Sequence, residues 1–277
     1  LSDSHVISGL DVTDLGGASN TVPARLGVSG RFEDGQLILD VAPIEPVLTH
    51  GVVRVSVLAY AADAVAGICL DDDPAHWTLT TDLSVRMQPV AAPTLISATN
   101  TIVRRGRRSA TCRVALVDDT GASIASSAVG FARLPRKDTD PPKPSISPEQ
   151  VPELFGRATP LDRPLRDEAG IEVVDAAAGV VEVLVTPQLR NPAGTIQGAM
   201  VALVVEAAVE ELVTARFDRP AIVTDLEVRY LAQAHHGPVR SRCELLGDRP
   251  DSPVLVELFD TSADRLTTLA YARATPI

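Results

Sequence analysis

The chain has 277 residues, 45% of them hydrophobic, 22% charged and 3% aromatic, so it is globular with a core of aliphatic side chains, and long enough for one large domain or two ordinary ones. A formal net charge of -11 argues against a dedicated nucleic-acid binder, which would carry a basic face, yet leaves room for an anionic small molecule held by a local arginine cluster. No apolar run reaches the ~18 residues of a membrane span, and no signal-peptide pattern follows Leu1-Ser2-Asp3.

From the N-terminus, residues 36–43 read as a strand that stops at Pro43. His50 and Gly51 precede a long apolar segment that closes at the turn-like Asp71-Asp72-Asp73-Pro74. Residues 80–86 and 127–133 read as strands; between them stands Arg104-Arg105-Gly106-Arg107-Arg108, the dense basic patch of an acidic chain. It caps a hairpin in which arginines beside a flexible glycine could grip phosphates, or in which they are simply solvated. Residues 134–166 hold Pro135, Pro141, Pro142, Pro144, Pro148, Pro152, Pro160 and Pro164, the composition of an extended linker, with a short helix expected near Ser147-Pro148-Glu149. Beyond it, strands are expected near 179–186, 222–231, 238–247, 253–260 and 266–274, and a central helix over 199–213 entered through Gly194 and Gly198. Cys69, Cys112 and Cys243 are too few and too scattered for a disulfide framework or a metal site, which points to reduced thiols and a cytoplasmic setting.

The two halves repeat each other. Residues 80–86 match 223–229 at a spacing of 143, 36–43 match 180–187, and 127–133 match 268–273. His50-Gly51-Val52-Val53 matches Gln197-Gly198-Ala199-Met200 at a spacing of 147, the difference being assigned to an insertion near Asp71. The chain thus divides into a unit over 1–133, a linker over 134–169 and a second unit over 170–277. In this register Ala59 stands nine residues after His50, and Asp63 aligns with Glu210.

Glu206 is the only ionisable residue between Arg190 and Glu210 and sits inside an almost wholly apolar run. Burying a lone carboxylate costs several kcal/mol unless it is paired or neutralised, so it marks a functional site or an arginine partner elsewhere. Removing its charge is expected to leave stability level or higher.

A central helix wrapped by an antiparallel sheet, entered through Asn191, Gly194, Gln197 and Gly198 with Glu206 nine residues after Gln197, resembles the hotdog fold. More narrowly it is similar to acyl-CoA thioesterases of the phenylacetate-pathway and 4-hydroxybenzoyl-CoA type, which carry Asn-x-x-Gly-x-x-His-Gly-Gly followed by an acid at that spacing. The tandem copy resembles a double hotdog, an α+β architecture in which one chain replaces a two-subunit dimer. The resemblance implies hydrolysis of an acyl-CoA to acid and CoA without a separate cofactor or metal. Glu206 is then base or nucleophile, Gly198 and the helix start polarise the carbonyl, Asn191 or Gln197 donates to it, and Thr224 holds the water. His50, Gly51 and Asp63 belong to the second potential site, and which half supplies the polarising glycine stays open. Arg104, Arg105, Arg107 and Arg108 fall where the family places the nucleotide end of CoA. Gln197 departs from the usual histidine and Ala199 from the second glycine. A non-catalytic binder of acyl-CoA or a lipid-like ligand, and a hydratase or dehydratase, remain as rivals. A homo-oligomer of such pseudo-dimers is compatible with the pattern.

Overall fold

The computed structural model describes residues 20–70, 73–137, 139, 150–155, 158–191 and 194–277; the helix expected at residues 147–149 lies outside them. In chain order the elements are β1 (Val28–Glu33), β2 (Gln36–Val41), β3 (Leu48–Thr49), β4 (Val52–Val53), α1 (Val55–Leu70), β5 (His76–Met87), β6 (Ile96–Arg105), β7 (Ser109–Asp118), β8 (Ser123–Pro135), α2 (Val151–Leu154) and α3 (Leu165–Glu168). The second half continues with β9 (Glu172–Asp175), β10 (Val180–Val183), α4 (Gly198–Phe217), β11 (Ala221–Tyr230), β12 (Val239–Leu245), β13 (Val254–Asp260) and β14 (Arg265–Pro276). The strands after α4 fall where alternation placed them; β9 carries no such signal, because all four of its residues are exposed.

Twelve strands form one antiparallel sheet. From one edge it runs β1-β2-β6-β7-β8-β5, and from the other β9-β10-β12-β13-β14-β11, so one connectivity is traced twice. The two series meet where β5 pairs with β11, and the register is reciprocal: Asp225 faces Arg86 as Arg229 faces Asp82. Each half also carries the same irregularity next to this seam, a bulge at Thr81 in β5 and at Thr224 in β11.

The helices α1 and α4 pack on the strands of their own halves and on each other. Their β-branched residues lower helix propensity by a few tenths of a kcal/mol each. Burial outweighs this, for 14 residues of α4 and 10 of α1 are buried. The apolar segment of the first half does not become helical at Val52, however. His50 and Gly51 both have positive φ, 50° and 76°, and close a two-residue hairpin between β3 and β4. The linker is more than an extended crossing: α2 covers β1 so closely that a Cβ on Gly30 would lie 2.4 Å from Val151 Cγ1. Among the described residues no helix is long and apolar enough to cross a membrane.

Candidate active site

The N-terminal halves of α1 and α4 run past each other antiparallel, so each helix start faces an acid two turns into the other. Helix α1 begins at Val55 and α4 at Gly198, 143 residues apart, the spacing that also relates Asp82 to Asp225 at the seam. One register therefore serves helix and strand alike, and the counterpart of Glu206 is Asp63. The alignment of His50-Gly51 with Gln197-Gly198 and of Asp63 with Glu210 is corrected accordingly, and no insertion near Asp71 is needed. A match at a single glycine, Gly51 with Gly198, had outweighed the helix register.

Around Glu206 the arrangement is closed. Its carboxylate is wholly buried and accepts from Val55 N–H at 3.2 Å, Ser56 N–H at 3.3 Å and the Ser56 hydroxyl at 2.5 Å. Arg54 Nη1 lies 3.6 Å from it and donates at 3.0 Å to Glu210, which Arg166 also approaches at 3.8 Å. Glu206 is thus not a lone charge but the cap of α1 and part of a buried ion cluster. Burial alone would lower Arg54, yet the charges of Glu206 and Glu210 outweigh it and hold the guanidinium above its usual value. Burial, then the charge of Glu206, pushes the Glu210 carboxyl up, with Arg54 and Arg166 opposing.

Around Asp63 it is open. Asp63, Tyr60, Thr80, Gln197, Gly198 and Tyr230 are all only half-buried. The Thr80 hydroxyl donates to Asp63 Oδ1 at 2.6 Å, and the Tyr230 hydroxyl to the Gly198 carbonyl at 3.0 Å. A Cβ on Gly198 would lie 3.2 Å from Tyr230 Oη and 3.7 Å from Asp63 Oδ2, so the missing side chain leaves a slot bounded by a phenol and a carboxylate. As the first residue of α4, Gly198 has an N–H outside the intrahelical ladder. The next two N–H groups are capped by Gln197 Oε1, at 2.5 Å from Ala199 and 3.3 Å from Met200. Burial pushes Asp63 up to about 6, against the hydrogen bond from Thr80. Burial and then the Asp63 charge push the phenols of Tyr60 and Tyr230 up, so both stay protonated.

The same spacing explains the asymmetry. Tyr60, Thr80 and Tyr230 have Leu203, Val223 and Met87 as counterparts, so the polar groups beside Asp63 are replaced by apolar ones beside Glu206. Chemically, the Asp63 side offers a carboxylate that is basic at neutral pH and faces an N-terminal helix dipole.

The other expected residues are dispersed. Asn191 ties its own loop, its side chain accepting from Thr195 N–H and hydroxyl at 3.2 Å. Thr224 pairs with the Thr275 hydroxyl at 3.0 Å and lines a cleft of about 320 Å³ with Arg86 and Arg273; it does not serve Glu206, because Val223 takes the inward position. His50 and Gly51 are exposed at their hairpin. Arg104, Arg105, Arg107 and Arg108 are exposed at the β6–β7 turn, which Gly106 N–H closes on Ser109 O at 2.8 Å. Tyr60, Thr80 and Tyr230 were not singled out from sequence; applying the 143-residue spacing to the helices would have paired Asp63 with Glu206 and drawn attention to Thr80 beside it.

No protein-family model matches the sequence, and no curated protein matches it. Solved structures do. A tesB protein of Mycobacterium avium subspecies paratuberculosis superposes with a TM-score of 0.62 at 13% identity, covering 92% of this chain and 98% of that one. An acyl-ACP thioesterase of Bacteroides thetaiotaomicron gives 0.57 at 12% identity over 86% and 97%. A protein of unknown function with a hot dog fold from Alicyclobacillus acidocaldarius gives 0.55 at 10% identity over 92% and 97%. These likenesses establish a hotdog fold for the chain.

Proposed function

We propose that this chain is a double-hotdog thioesterase acting on acyl-CoA, with units 1–133 and 170–277 joined by the segment 134–169, and that Asp63 rather than Glu206 is its catalytic carboxylate. One observation carries the reading: of two equivalent acids, Asp63 is the one that stands half-exposed at the start of the opposite helix, while the acceptor positions of Glu206 are taken. The thioesterases among the solved structures of the same fold support the reaction class.

In this mechanism the thioester carbonyl enters the slot at Gly198, where the helix dipole and the Gly198 N–H stabilise the developing oxyanion. Asp63, with Thr80 fixing its orientation, takes a proton from water as the water oxygen attacks the carbonyl carbon. The C–S bond then breaks, and the thiolate recovers that proton from Asp63. Arg104, Arg105, Arg107 and Arg108 hold phosphates of the CoA moiety through charge-assisted contacts.

Release of free thiol from a panel of acyl-CoA thioesters tests the reading. Asp63→Asn should lower turnover about 100-fold or more, while Glu206→Gln keeps the turnover of its folded fraction. The reverse result would return the chemistry to Glu206. A second reading, a non-catalytic acyl-CoA binder, is favoured by Gln197 occupying two N–H groups of α4. It takes over if acyl-CoA binds and no thiol is released.

A further inference from the structure

A hydroxyl donor that no protein group claims, standing beside a reactive carboxylate, is available to a ligand. Two phenols flank Asp63. Tyr230, from β11, has given its hydrogen to the Gly198 carbonyl at 3.0 Å and so fixes the first turn of α4. Tyr60, from α1, has no hydrogen-bond partner for its hydroxyl among the described residues.

Position reinforces the contrast. Tyr60 precedes Asp63 by three residues, which puts both on one face of α1. It is half-buried, as Asp63 is. On the closed side its counterpart is Leu203, fully buried and unable to donate, beside an acid already saturated by α1. The polar residue thus occurs only at the half of the pseudo-symmetric pair that remains open.

We propose that Tyr60 is a catalytic hydrogen-bond donor, its hydroxyl presented to the thioester carbonyl oxygen at the open site and its proton retained throughout. This rests on the thioesterase reading. As the carbonyl becomes tetrahedral its oxygen gains negative charge, and the hydrogen bond strengthens toward the transition state more than toward bound substrate. The water O–C bond forms and the C–S bond breaks through Asp63 as before; Tyr60 lowers the barrier without exchanging a proton. Tyr230, by holding the Gly198 carbonyl, is a positioning residue for the opposite wall.

The test is Tyr60→Phe in the intact chain, which deletes the hydroxyl and keeps the ring, measured beside Asp63→Asn with the acyl-CoA that wild type hydrolyses fastest. The expected result is a kcat lower by about 100-fold with little change in KM, an unshifted acid limb in the pH–rate profile and an unchanged Tm. If Tyr60→Phe keeps wild-type kcat while Asp63→Asn abolishes it, the donor role is overturned and the thioesterase reading stands. A loss that tracks the unfolded fraction, with normal turnover per folded molecule, also overturns it, since the ring would then act by packing. Failure of wild type to release thiol from any acyl-CoA removes both proposals together.

Discussion

Asp63 and Glu206 occupy equivalent positions and differ in what surrounds them. Glu206 has two N–H donors, a hydroxyl and a guanidinium; Asp63 has one threonine hydroxyl and is only half-buried. With burial holding Asp63 up to about 6, the sign of its pH effect follows. Only the ionised carboxylate can take a proton from water, and the fraction ionised falls as pH drops through that value. In a pH–rate profile kcat/KM should therefore decline about tenfold per unit below roughly pH 6 and level off above it. A profile flat from about pH 5 to 8 would exclude Asp63 as the base. Sequence singled out Glu206 because a lone charge in an apolar run signals burial. It could not signal saturation, since Val55 and Ser56 stand 151 and 150 residues away along the chain. Asp63, among alanines on an unexceptional helix, gave no comparable signal.

The two helices solve their N-terminal problem differently. Helix α4 is capped by the residue before it, Gln197, whereas α1 borrows its cap from Glu206 on the other helix. The expectation that neutralising Glu206 would be harmless to stability is therefore reversed. Glu206→Ala leaves helix N–H groups and Arg54 without an acceptor and should cost about 3 kcal/mol in urea unfolding; an unchanged midpoint would mean the cluster relaxes around the loss. Gly198→Ala tests the opposite helix start. Alanine favours the helix, so Tm should hold or rise, but the new methyl enters the slot 3.2 Å from Tyr230 Oη, and kcat/KM should fall at least about tenfold. Undiminished activity would place the reacting carbonyl elsewhere. Helix α4 was legible because glycines and a uniform apolar run announce it. The start of α1 was not, because two consecutive positive-φ residues, one of them a histidine, turn the chain at a hairpin that reads like the entry to the other helix.

At the scale of the molecule, duplication was legible in the strands. Alternating side chains preserve a pattern such as Thr-Asp-Leu-x-Val-Arg as long as one face stays buried, and β5 and β11 meet through that pattern. What the pattern cannot carry is which of two equivalent clefts remains accessible, because that is decided by contacts between halves. The consequence is a stoichiometry. A symmetric pair of hotdog sites would bind two ligands per chain, but here the second helix start is filled by Glu206 and walled by Leu203 and Val223, both fully or nearly fully buried. Asp63→Asn should still bind acyl-CoA while turning it over too slowly to interfere, so it can be titrated with the substrate itself. Calorimetry is expected to give one acyl-CoA per chain, with an affinity that weakens as salt is raised, because the proposed arginine–phosphate contacts would be charge-assisted. Two equal binding events per chain would mean that the Glu206 cluster opens in solution, and the division of labour between the halves would have to be abandoned.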